Sequence, residues 1–184
     1  ALLESSMLDD KNVRIIYSFR DFSQALSALT FLLDDFEPEE KYTYVELRRF
    51  RCFETTLIIS MARPFEQSRG STTISLKNVG IKLNKDERFL VNKVCSLRKK
   101  VIAHSDQDEM HFYLATHELE NTGLIRPDIR FDESLYLTYQ EFRELEILLR
   151  KLKNKIYEYV FDLAQEQPEV IEFYKKPKSW DNKA

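Results

Sequence analysis

Few glycines and prolines occur in the sequence, with three Gly and five Pro in 184 residues. Sandwiches and barrels made of short strands need turn residues at every corner, so this scarcity argues against them and for long helices. There are only two cysteines, Cys52 and Cys95, and no Cys-x-x-Cys pair. Neither a disulfide framework nor a cysteine zinc site is expected, and buried reduced thiols in a cytoplasmic protein fit best. The longest apolar run, Leu57 to Ala62, is broken by Ser60 and falls far short of the ~20 residues that span a bilayer. The opening Ala1-Leu2-Leu3-Glu4 meets an acid at once, so no secretory leader is expected. Positive charge is not in excess either. Net charge is −3 and the pI about 5.8, which speaks against a protein that coats nucleic acid broadly.

What is present suits a globular chain. Hydrophobic residues make up 43% and charged residues 32%, too apolar for wholesale disorder. The length allows one ordinary domain, large enough to fold without a metal or disulfide staple. Phe19, Phe22, Leu26, Leu29 and Leu33 recur at steps of three and four, which predicts a first helix over 18–36, ended by Pro38. A second helix is expected from 39 or 41 to 67, with Leu47, Phe50, Phe53, Leu57, Ile58 and Met61 on its apolar face. Pro64 should kink or end it, and Gly70 should close the segment. A connector over 71–83 leads to a third helix, where Asn84 and Glu87 have the spacing of a capping box. Its stripe is Leu90, Val94, Leu97 and Val101.

Met110 to Thr116 and Ile129 to Leu137 are aromatic and β-branched, with Asn121-Thr122-Gly123 and Pro127-Asp128 between them, and read as an irregular hairpin. The last helix starts at Thr138, with Glu141 completing a second box. It keeps Phe142, Leu145, Leu149, Leu152, Ile156, Tyr159 and Leu163 on one seam, which packs in a bundle or against a second copy, and Pro168 stops it. The fold class is therefore all-α, a bundle of about four helices with a small β-hairpin insert before the last long helix. Its expected divisions are an N-terminal extension over 1–17, a helical domain over 18–166 with the insert at about 110–137, and a C-terminal tail over 167–184.

One stretch places charge where the periodicity asks for apolar groups. In Leu97-Arg98-Lys99-Lys100-Val101-Ile102-Ala103-His104-Ser105-Asp106, His104 continues the buried stripe seven residues after Leu97, and Arg98 borders it. Buried charge is costly without partners. One reading is structural: a helix-terminal His bonding the last carbonyls, and Arg98 pairing with a core carboxylate. Glu54, one position after Phe53 and three before Leu57, borders or enters the apolar face, and reads either as a surface carboxylate or as a partner that holds Arg98 or fixes the tautomer of His104.

The other reading is functional. An arginine, five intervening residues, and a histidine at a helix end followed by Ser-Asp resembles the R-x4–6-H motif of the HEPN superfamily. The form here is most similar to HEPN proteins of abortive-infection and toxin–antitoxin defence. The layout over roughly 18–164 is similar too: a long helix with Glu54, a connector, the motif helix, a variable insert and a long last helix. Many active HEPN nucleases carry Asn, Asp or His immediately after the arginine, where this chain has Lys99. The resemblance implies a homodimer that cleaves RNA without metal, with Arg98 and His104 catalytic. Glu54, Lys99, Ser105 and Asp106 would be supports, and a cognate antitoxin would be a further partner.

The chemistry stands on elementary grounds as well. RNA brings its own nucleophile, the 2′-hydroxyl. The enzyme supplies a proton carrier near neutral pH, as histidine is, and a planar cation matched to phosphate oxygens, as arginine is. The competing class is a non-catalytic HEPN-like module that binds RNA, a nucleotide or a protein.

Other constellations are weaker. His104, Asp106, Asp108, His111 and His117 lack the spacing of a His-x3-His or His-Glu-x-x-His site, so neither metal nor cofactor is expected. Adjacent His104-Ser105-Asp106 does not make triad geometry. No glycine-rich phosphate loop exists in the sequence. Basic clusters at Arg48, Arg49 and Arg51, at Lys93, Lys99 and Lys100, and at Arg150, Lys151, Lys153 and Lys155 alternate with Glu and read mainly as solvated helix faces. Phe112, Tyr113 and Tyr136 are read as hairpin core ahead of base-stacking residues.

Overall fold

The computed structural model describes residues 10–67, 72–102, 111–119 and 122–166. In chain order these form α1 (Asp10–Asp35), α2 (Tyr44–Ala62), a 3-10 turn (Arg63–Phe65), α3 (Lys85–Leu97), a π-helical turn (Arg98–Ile102), β1 (Phe112–Leu119), β2 (Leu124–Phe131) and α4 (Tyr139–Glu166). The fold is mostly α, with a two-stranded antiparallel hairpin before the last long helix.

α1 is the central element and packs on both α2 and α4. Phe22, Ala25, Ala28, Leu29 and Leu32 are buried along it, and the two alanines let the neighbouring helices approach. α1 begins eight residues before the expected start. Ile15 is in the core and Asn12 accepts a hydrogen bond from Tyr159 on α4 at 2.6 Å, so 10–17 belong to the domain and not to an extension. Two buried polar residues interrupt the apolar stripe and hid this turn. Ser18 is satisfied by the Arg14 carbonyl at 2.8 Å, and Asp21 by Arg63 at 3.0 Å.

The α1–α2 corner is aromatic. Tyr42 lies edge-on to Phe50 at 5.0 Å and stacked on Phe36 at 5.7 Å, and its hydroxyl accepts from the Glu37 amide. α2 starts at Tyr44, later than expected, because Thr43 and Glu46 form a reciprocal capping box there. It ends at Ala62, and Pro64 sits in the 3-10 turn, where it breaks the helix. Gly70 lies outside the described residues. The connector turns at Leu76–Gly80, where Gly80 takes φ +66 and the Ile81 amide donates to Leu76. Ile74, Val79 and Ile81 from this connector enter the core.

Both expected capping boxes further along are present, Asn84 with Glu87 and Thr138 with Glu141. On α4, Phe142, Leu145, Leu148, Leu149, Leu152 and Ile156 are fully buried within the chain. This part of the seam therefore builds the bundle of the chain itself, while Tyr159 and Leu163 further along are half-buried.

The hairpin register runs from Phe112 opposite Phe131 to Leu119 opposite Leu124, closed by Gly123 at φ +70. Both strands lie closer to the turn than the sequence suggested, and Pro127 falls inside β2. Bonded and non-bonded pairs alternate in an antiparallel ladder, and the Asp132 amide bonds the His111 carbonyl. Pro127, opposite Thr116, is thus at a non-bonded pair, where no ladder N–H is missed.

Among the described residues, no helix is long and apolar enough to cross a membrane. The thiols differ from expectation: Cys52 is exposed and Cys95 only half-buried.

Candidate functional site

The arginine of the motif stands where α3 changes its winding. Leu90, Val91, Val94 and Leu97 seat α3 in the core, and the helix then widens into the π-turn Arg98–Ile102. Such a turn adds a residue and re-aims the side chains that follow, and it is frequent at functional sites. Arg98 donates from Nη1 to Oε2 of Glu66 at 2.7 Å, with its side chain 39% exposed. Lys99 Nζ lies 3.4 Å from the other oxygen, Oε1.

Glu66 was not among the sequence candidates. It reaches Arg98 because the proline-bearing turn ends α2 and Glu66 leaves it extended, which aims the nearly buried carboxylate at the end of α3. The pair spans 32 residues, so no local spacing could have announced it.

More charge gathers at this end of the bundle. Arg63 pairs with Asp21, and an Arg14 Nη2 bonds the Arg63 carbonyl. Among the described residues, Arg14, Arg63, Arg98 and Lys99 thus stand against two carboxylates, Asp21 and Glu66, in a chain whose net charge is −3. Cys95 stands one turn before Lys99. Burial and then the Glu66 charge push its thiol up to about 11.

His104, Ser105 and Asp106, with Asp108, lie outside the described residues. The other supporting candidate, Glu54, is buried and is not a surface carboxylate, but its partner is not Arg98. Its Oε1 accepts from the backbone amides of Tyr136 and Leu137, both at 2.8 Å. Glu54 therefore fastens the chain where it returns from the hairpin to α4. Its Oε2 is buried with no hydrogen-bond partner. Burial raises the carboxyl to about 7, against the lowering pull of the Leu137 amide and of Arg51.

Arg51 reinforces the same return segment. It bonds the Ser134 carbonyl and the Tyr136 hydroxyl, and its guanidinium lies 4.0 Å above the Tyr136 ring. The other basic residues are mostly ion-paired: Arg48 with Glu133, Arg49 with Asp35, Lys93 with Glu141, Arg150 with Glu146, Lys151 with Glu87. A cavity of about 420 Å³ at the hairpin base is lined by Arg51, His111, Asp132, Glu133 and Tyr136. His117 stands six residues further along the strand, about 20 Å away at the strand rise, too far to share an ion with His111. Among the described residues, no group of three or more His, Cys, Asp or Glu is placed to hold a metal. Phe112 and Tyr113 are exposed and do not form a hairpin core.

Comparison of the chain with protein-family models, with curated proteins and with solved structures finds no match.

Proposed function

We propose that the chain is a metal-independent endoribonuclease of the HEPN type, acting in the cytoplasm as a toxin or anti-phage effector and held in check by a cognate antitoxin protein. The observation that supports this reading most is the setting of Arg98. It stands on a π-turn, part-exposed, with its orientation fixed by Glu66, at an end of the bundle where, among the described residues, cations outnumber carboxylates.

In the proposed reaction, the 2′-oxygen of RNA attacks the adjacent phosphorus. The new 2′-O–P bond forms as the P–O5′ bond breaks, leaving a 2′,3′-cyclic phosphate and a 5′-hydroxyl. His104 takes the 2′ proton, and a second acid returns one to the leaving 5′ oxygen. Each chain has one histidine in the motif, so this scheme asks for two copies with facing motifs. Arg98 steadies the charge that develops on the phosphoryl oxygens. Lys99 and the nearby cations attract the backbone.

The second reading is a non-catalytic helical module that binds RNA, a nucleotide or a protein. The Arg98–Glu66 ion pair favours it, because the guanidinium already has a carboxylate partner. Incubation of the purified protein with RNA separates the two. Cleavage lost in His104→Ala supports the nuclease, while retention of RNA without cleavage supports the module.

A further inference from the structure

The alternation of the hairpin puts its basic residues on one face and most of its large apolar residues on the other. Phe112, Leu114, Ile125, Ile129 and Phe131 share one face with Thr116, Pro127 and Glu118. His117, Arg126, Asp128 and Arg130 share the other with Tyr113, Ala115, Leu119 and Leu124, and there Arg130 holds Asp128 at 2.7 Å. The apolar face is bare: Phe112 is 67% exposed, Leu114 59%, Ile125 70%, Ile129 57% and Phe131 52%. Neither strand packs on a helix as the helices pack on one another.

We infer that this face packs on the same face of a second copy of the chain. Area argues for it. With aromatic side chains of about 150–250 Å² and aliphatic ones somewhat smaller, these five leave roughly 500 Å² of apolar surface uncovered. That is near the upper end of the largest patch on an ordinary monomer, about 300–600 Å². A stable interface buries about 800 Å² per partner, a little over half of it apolar. The face is therefore sized for one such partner. Its chemistry argues for a like face. It holds no cation for a phosphate and a single acid, Glu118, near the turn. Two copies related by a twofold axis stack as two sheets about 10 Å apart, with all the other hairpin charges on the outer faces. A two-stranded hairpin alone is marginal in water, and the second layer supplies what it lacks.

The inference rests on exposure and pairing, not on the nuclease reading, though it supplies the second copy that reading asks for. Light scattering at micromolar concentration tests it without RNA. Wild type is expected at about twice the chain mass of 22.0 kDa. Leu114→Glu and Ile129→Lys, neighbours at the centre of the face, should each weaken association by about 100-fold or more and give the single-chain mass. Far-UV circular dichroism should keep the helical signal. An equimolar mixture of the two variants should recover the double mass, since their charges then oppose. Wild type at the single-chain mass, both variants still at the double mass, or a mixture that stays single overturns the inference. A dimer that cleaves no RNA counts only against the nuclease.

Discussion

Arg98 and Glu66 meet at 2.7 Å across 32 residues of chain, joining the end of α3 to the turn that follows α2. The same contact is a structural brace and a means of fixing the guanidinium of the motif. Removal of Arg98 leaves the nearly buried Glu66, among the described residues, with Lys99 at 3.4 Å. Arg98→Ala should therefore lower stability by about 1 kcal/mol, a part-exposed ion pair being worth no more. A double-mutant cycle with Glu66→Ala in urea unfolding should show a coupling of similar size, and a coupling near zero contradicts the brace. Arg98→Lys retains the charge for Glu66 but loses the planar fork, so it is the cleaner probe of chemistry.

Glu54 makes stability depend on pH. Its carboxyl sits at about 7 in the folded chain, above its ordinary 4.5, so the native state holds a proton that the unfolded state has released. Its contribution is full below about pH 4.5 and is lost as pH rises through 7, on the order of 3 kcal/mol in all. Wild-type melting temperature should fall relative to Glu54→Gln between pH 5 and 8. Parallel curves for the two proteins contradict this. Glu54→Leu should melt lower at pH 5, where the proton is held, because it strands the Tyr136 and Leu137 amides.

The core makes a graded prediction. Leu149 is fully buried, so Leu149→Ala should cost about 2–5 kcal/mol. Leu97, at 9% exposure, should fall at the low end of that range. Lys153→Ala should stay within about 0.5 kcal/mol. Lys151, bonded to both oxygens of Glu87 and to the Lys82 carbonyl, should cost more than Lys153. Chemical denaturation that reverses the order of Leu149 and Lys153 contradicts the assigned helix faces.

What could be read in advance follows from the range of each interaction. The starts of α3 and α4 were legible because a capping box is written in four consecutive residues, Asn84 to Glu87 and Thr138 to Glu141. The same signal stands at Thr43 and Glu46, and it sets the start of α2 later than 39 or 41. The start of α1 was missed because Ser18 and Asp21 are buried polar residues satisfied by partners a turn away and on another element. Glu54 stands at the border of the apolar face of α2, where the sequence reads as surface or as core, and its partners, 82 and 83 residues on, leave no local signal. Glu66 left no periodic trace. The strand limits slipped because exposed apolar residues resemble core in a sequence, and Pro127 reads as a turn unless the pairing phase is known.

Cleavage of RNA by wild type, His104→Ala and Arg98→Lys, run side by side on a denaturing gel with and without EDTA, tests the proposed chemistry most directly. Wild type should cut, leaving 2′,3′-cyclic phosphate ends, and should spare a substrate with 2′-deoxy at the scissile position. His104→Ala should lose about 10²–10⁴-fold in rate. Arg98→Lys should lose most activity while melting near wild type, and EDTA should change nothing. Intact RNA with folded wild-type protein, or cleavage that EDTA abolishes and a divalent ion restores, contradicts the proposal.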